Sequence, residues 1–182
     1  MPENNTLTPQ ALTVHPEHAY AIRLLGKDRE NRSWKPPASV LNRWIMIHGA
    51  ANIGGKYSKR VGHDIECIRQ MTLVAERAGV PENQLRIITP GPIFTEGCGI
   101  VAVVKITGWE ECTPARGWYL GPEVDGKVNY GWLLAKVVPL LHPVPCRGAQ
   151  GVWLVPDDVF AAVRAQLAQI RQKSTRFRCG RC

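Results

Sequence analysis

The stretch Gly26-Lys27-Asp28-Arg29-Glu30-Asn31-Arg32-Ser33-Trp34 decides how the rest of the chain is read. Its charges stand between two apolar runs, at a point where a small domain closes its core. Read as extended chain, it presents Lys27, Glu30, Arg32 and Trp34 as a charged pair and an aromatic edge. Upstream, Ala11-Leu12-Thr13-Val14-His15 reads as a first strand, and Pro16 suits the first turn of a helix over 16–25. Ala19, Ile22 and Leu25 fall at helical spacing, and Gly26 is placed to end the helix. Downstream, Pro36-Pro37 forbids helix, and Trp44-Ile45-Met46-Ile47-His48 reads as a strand before the glycines of 49–55 break the pattern.

Working outward, Val61, Ile65, Ile68, Thr72 and Ala75 predict a helix over 61–79 that stops at Gly79-Val80-Pro81. The turn formers between Pro81 and Gly97 predict a surface loop, and the run from Gly99 to Ile106 predicts a core strand. Further strands are predicted over 132–138 and 151–155, separated by the proline-punctuated segment 139–145. Pro156-Asp157-Asp158 opens a last helix, its acids suiting the N-terminal dipole, with Val159, Val163, Leu167 and Ile170 in one apolar stripe. Strands with inserted helices predict an α+β fold built on a small barrel.

Composition narrows the class. The 182 residues suffice for one core without disulfide staples, the 45% apolar and 21% charged fractions are globular, and no apolar run approaches the roughly 20 residues of a membrane-spanning helix. The segment Met1-Pro2-Glu3-Asn4-Asn5-Thr6 lacks a secretory pattern, so the expected location is the cytoplasm, with reduced thiols. The net charge of +8 is uneven: six of the 23 basic residues follow Asp158, the last acidic one, leaving 17 against 15 acidic in the remainder. A tail carrying Lys173, Arg176 and Arg178 suits phosphates without sequence preference, and equally suits a solubilising terminus. Organisation is therefore expected as a domain over 1–158, with an inserted segment at about 50–98, followed by a helix and basic tail over 159–182.

Several ordered motifs together resemble the ASCH family of PUA-like β-barrels. They are Leu12-Thr13-Val14-His15-Pro16 with the helix that follows, the Lys-x-x-Glu-x-Arg-x-Trp pattern of Lys27, Glu30, Arg32 and Trp34, and Trp44-Ile45-Met46-Ile47-His48-Gly49. Nearer the other end, Trp118-Tyr119-Leu120-Gly121-Pro122, Tyr130-Gly131-Trp132 and Gly148-Ala149-Gln150-Gly151-Val152-Trp153 resemble segments of bacterial and phage-borne members. The chain departs from the family at Gly26, which lies four residues before Glu30 where the family has its glycine five before, and in the length of 50–98. The resemblance implies a small PUA-like barrel with flanking helices and an inserted helix, whose cleft receives RNA, single-stranded in preference, or a modified nucleoside. Some members cleave RNA, and one branch hydrolyses acetylcytidine with a Lys-x-x-Thr arrangement; here Lys27 matches the lysine while Glu30 stands in the threonine's place.

The residues themselves allow two chemistries. Glu30 can act as a general base with Lys27 or Arg32 stabilising a developing negative charge, which is the equipment of a metal-independent ribonuclease or amidohydrolase. The same three groups also suit a buried network that fixes the barrel's mouth. Trp34, Trp118, Tyr119 and Tyr130 are candidates to stack on bases, Gln150 to read a base edge, and Arg176 and Arg178 to meet phosphates, each with core packing or a loop bond as the alternative. Trp153 belongs to the same aromatic set, and the aromatics would equally serve a protein partner. Cys179-Gly180-Arg181-Cys182 lacks the second pair that zinc requires, and Cys67, Cys98, Cys112 and Cys146 are scattered. The five histidines show no paired ligand spacing; His15 and His48 read as strand residues near the cleft. No metal or cofactor is expected.

Overall fold

The structure, a computed structural model, describes residues 7–50, 61–86, 88–112, 117–119, 123–124 and 127–179; within these, the side chains of 61–67, 90, 94, 123–124, 127 and 174–179 are left aside. Along the chain run β1 (Leu7–Val14), α1 (Pro16–Leu24), β2 (Arg29–Arg32) and β3 (Arg43–Gly49). Then come α2 (Val61–Arg77), α3 (Glu82–Leu85), α4 (Pro90–Glu96), β4 (Gly99–Glu111) and the short pair β5 (Glu123–Val124) and β6 (Lys127–Val128). β7 (Tyr130–Val144), β8 (Val152–Leu154) and α5 (Asp157–Cys179) complete it.

Six strands form one mixed sheet in the order β2-β7-β4-β3-β1-β8, in which only β1 and β3 are parallel. The apolar run of β4 sits at the centre because it is buried on both faces, from Gly99 through Ile106. Alternation along the strands sends Ile45, Ile47, Val104, Ile106 and Leu12 to one face, where Ala19 and Ile22 of α1 pack on them. Met46, Val103 and Leu140 face the other way, against Val159 and Val163 of α5. A third cluster joins the far side of α1, through Tyr20, Ala21 and Leu25, to Met71, Val74 and Ala75 of α2 and Ile93 of α4.

The architecture is α+β, as expected, and the six-stranded sheet is not a closed barrel. β2 and β1 stand four places apart in the sheet, about 19 Å if it were flat, yet the Arg32 guanidinium donates to the Thr13 carbonyl. The sheet is therefore strongly curled, and among the described residues no ladder joins β2 to β1 or β8.

Three expectations need correction. The segment from Pro81 to Gly97 is not a plain surface loop: it forms α3 and α4, with Pro90 in the first turn of α4 and Ile88 and Ile93 buried. Prolines read as breakers there act as helix starters. The prolines of 139–145 do not separate two strands either, because β7 runs through Pro139 and Pro143 to Val144. Register shifts between Ile100 and Ala102 and between Val103 and Lys105, with Lys136 at φ 53, re-aim the chain so that Pro139 is accommodated opposite Ala102. Finally, His15 lies outside β1, as the N-cap of α1. The glycine-rich stretch to Gly55 falls mostly outside the described residues, as do Leu120, Gly121, Pro122 and the terminal Gly180-Arg181-Cys182.

Candidate functional site

The end of α1 builds the site. Gly26 adopts φ 72, a conformation that costs other residues a Cβ clash, and the Lys27 amide turns back to the Ala21 carbonyl at 3.1 Å. This reversal buries the whole Lys27 side chain and starts β2 two residues later, held against β7 by Arg29 opposite Leu133 and Glu30 opposite Trp132. Lys27 Nζ donates to Glu30 Oε2 at 2.6 Å, with side-chain exposures of 0% and 5%. Arg32 Nε stands 3.4 Å from Glu30 Oε1, while its Nη2 donates to the Thr13 carbonyl.

Electrostatics follow from that geometry. Burial would push the Glu30 carboxyl up, but the Lys27 ammonium and the Arg32 guanidinium together outweigh it and hold it at about 2. Lys27 is pushed down by burial, an effect that Glu30 offsets only in part. His18, on α1, is lowered to about 3 by burial first and then by the Lys27 charge, so its imidazole is neutral at pH 7. Its Nδ1 is buried and has no hydrogen-bond partner; neither has Arg32 Nε. Two of the three such buried orphans among the described side chains thus belong to one cluster.

The other anticipated residues divide between the two faces of β2. On the Glu30 and Arg32 face, Trp34 meets Trp132 edge-on at 4.6 Å, and Trp132 Nε1 donates to the Trp34 carbonyl at 2.8 Å. Tyr130 lies opposite Arg32 and meets Trp109 edge-on. On the other face, Asn31 Nδ2 donates to the Trp118 carbonyl at 2.9 Å and Arg29 lies over the Tyr119 ring. Trp118 is buried in the helical cluster, and the Tyr119 hydroxyl donates to Glu110. Gln150 is exposed in the segment before β8. The Arg176 and Arg178 side chains lie outside the described residues.

A second polar network adjoins the first through Thr13. Trp153 Nε1 donates to Thr13 Oγ1 at 2.9 Å, Thr13 Oγ1 lies 3.4 Å from His48 Nδ1, and His48 Nε2 lies 3.2 Å from the Cys146 carbonyl. The carbonyl can only accept, so His48 carries its proton on Nε2 and takes the threonine's on Nδ1. Burial lowers this histidine and keeps it neutral. Gly148 lies so close that a Cβ there would stand 2.3 Å from His48 Cε1. Sequence reasoning missed Thr13 and His18. A carbonyl contact leaves no mark in residue identity, and a lone histidine has no spacing to betray it.

Among solved structures the chain is similar to an ASCH protein of Zymomonas mobilis. The likeness covers 86% of this chain and 93% of that one, at 12% identity and a TM-score of 0.46. A point mutant of the same protein gives 91% and 98% coverage at 10% identity, again with a TM-score of 0.46. No family model matches the chain, and no curated protein does. Among the described residues there is no group of three or more histidine, cysteine, aspartate or glutamate side chains arranged to hold a metal, and no helix is long and apolar enough to cross a membrane.

Proposed function

We propose that the chain binds single-stranded RNA, inserting a nucleobase at the mouth of the curled sheet beside Lys27, Glu30 and Arg32. One observation carries this reading: His18 Nδ1 is buried without a hydrogen bond, beside a carboxylate to which Arg32 Nε holds only a long ion pair of 3.4 Å. Buried polar atoms in native proteins are almost always satisfied, and one that the protein leaves unbonded can receive a ligand's polar edge. A base edge offers a carbonyl for the guanidinium and an N–H for the imidazole, and single-stranded RNA leaves that edge free. The ASCH resemblance of the Lys27–Trp34 motif supports the same class of ligand, and the basic end of α5 supplies phosphate affinity. Anisotropy titrations of a labelled single-stranded RNA should show a steep salt slope, flattened by deleting residues 171–182. Arg32→Gln should weaken binding at least tenfold with the circular dichroism unchanged; equal affinity removes this site from consideration.

A second reading, hydrolysis of RNA or of a modified nucleoside such as acetylcytidine, would use the buried Lys27 and Glu30 pair. A carboxylate at about 2 and an imidazole at about 3 are both feeble proton acceptors at neutral pH, so in this reading Glu30 orients the substrate and Lys27 stabilises the developing negative charge. Glu30 offers no hydroxyl nucleophile in the threonine's place. Turnover of RNA or acetylcytidine that Glu30→Gln abolishes would establish this reading; absence of turnover with both leaves binding alone.

A further inference from the structure

The ladder register extends the candidate site along one face of the sheet. Residues paired across strands project to the same side, as do residues two apart. Glu30 pairs with Trp132 and Trp132 with Trp109; Arg32 pairs with Tyr130 and Tyr130 with Glu111. Two adjacent rows therefore lead from the buried cluster of β2 across β7 to the outer end of β4. Burial falls along the first row: Glu30 and Trp132 are buried, and Trp109 is 36% exposed.

At the open end the rings are arranged as a platform. Trp109 and Tyr130 meet edge-on, with centroids 5.5 Å apart at 88°. Lys35, exposed on the segment after β2, holds its Nζ 4.0 Å from the Trp109 centroid and 5.3 Å from that of Tyr130. An ammonium on a ring face occupies the position a stacked base would take, and is itself a phosphate ligand. Glu111, on the same face beside Tyr130, disfavours phosphate on its own side, which leaves the Lys35 side for the backbone. The platform stands two strand spacings from Glu30, about 10 Å, within reach of a neighbouring nucleotide.

We propose that Trp109, Tyr130 and Lys35 form a stacking subsite for the nucleotide next to the one held at Lys27, Glu30 and Arg32. Lys35 covers the Trp109 ring in the free protein and shifts to the backbone phosphate when a base takes the ring. This rests on the RNA reading above and adds to it a direction for the strand, outward from β2 over β7 to β4. It also assigns Trp109 and Lys35, which belong to none of the family-like motifs.

The test compares cytidine monophosphate with a cytidine tetranucleotide on the full chain. The tetranucleotide should bind more tightly, and Trp109→Ala should remove about tenfold of its affinity or more, while Trp109→Phe retains most of it. Lys35→Gln should weaken the tetranucleotide severalfold and reduce the salt slope by about one. Monophosphate binding should be the same in all three variants. If Trp109→Ala leaves tetranucleotide affinity intact while Arg32→Gln lowers it, the subsite is refuted and the RNA reading stands. If the unmodified chain binds neither probe, the RNA reading fails and the subsite with it.

Discussion

Two polar networks share Thr13 and are built on opposite terms. Around its hydroxyl, Trp153, His48 and the Cys146 carbonyl form a neutral chain in which each proton has an acceptor. Around its carbonyl, Arg32, Glu30, Lys27 and His18 gather two cations, a carboxylate and a neutral imidazole, with His18 Nδ1 unbonded and Arg32 Nε held only by a long ion pair to Glu30. A complete network has its full stabilising effect in the folded chain alone. An incomplete one leaves bonding capacity, which the RNA reading proposed above would use. The first ties β8 to β1 and β3, and the second is the candidate site, although their residues stand side by side.

The largest effect should come from splitting the charged network. Lys27→Ala leaves the Glu30 carboxylate buried with only the more distant Arg32, and should cost about 3–5 kcal/mol in urea unfolding. Replacing both members, Lys27→Met with Glu30→Leu, should recover most of that stability without recovering RNA binding. A double variant as unstable as the single one would mean the pair is wholly structural. In the neutral network, Gly148→Ala drives a methyl against His48 and should cost about 1–3 kcal/mol, read as a lowered denaturation midpoint. Trp153→Phe deletes one hydrogen bond and should cost about 1 kcal/mol, with RNA affinity unchanged. A loss of RNA affinity in this variant would show that the two networks are not separable.

The smallest effect at neutral pH, and the most specific, concerns acid. The folded value of His18 lies at about 3 against an ordinary 6.5, so the unfolded chain binds its proton first. Its contribution is complete above 6.5 and is lost as pH falls from there toward 3. Glu30, at about 2 against 4.5, contributes fully above 4.5 and loses that contribution as pH falls toward 2. His18→Gln should therefore flatten the decline between pH 6.5 and 4.5 and leave the more acidic limb in place. An unchanged profile would mean that His18 is solvated.

Much of the frame was legible because single residues with one dominant role mark it. Pro16 starts α1, Gly26 ends it, and the apolar run of β4 permits little else. The Lys27 and Glu30 pair was legible for the same reason, since charges three residues apart in a core-forming segment need each other. What failed was punctuation with two meanings. A proline opens a helix as readily as it ends one, and α4 exploits the first; Pro139 and Pro143 sit inside a strand because bulges on β4 and β7 let them. The site's outer limits were hidden for a different cause. Trp118 and Trp109 look alike in sequence; a turn beyond β4 sends the first to the helical cluster, while the register of β4 leaves the second half-open at the end of Glu30's row.

The Arg32 contact with Thr13 has one more consequence. Most neighbouring strands of this sheet are stitched by backbone amides, which separate only if several bonds break together. The curl itself is drawn shut between β2 and β1 by a side-chain clasp, worth about 1.5–3 kcal/mol as a hydrogen bond from a charged group. A guest of the proposed kind that offers the guanidinium an equivalent oxygen would compete with the Thr13 carbonyl for it, and no backbone ladder would have to break.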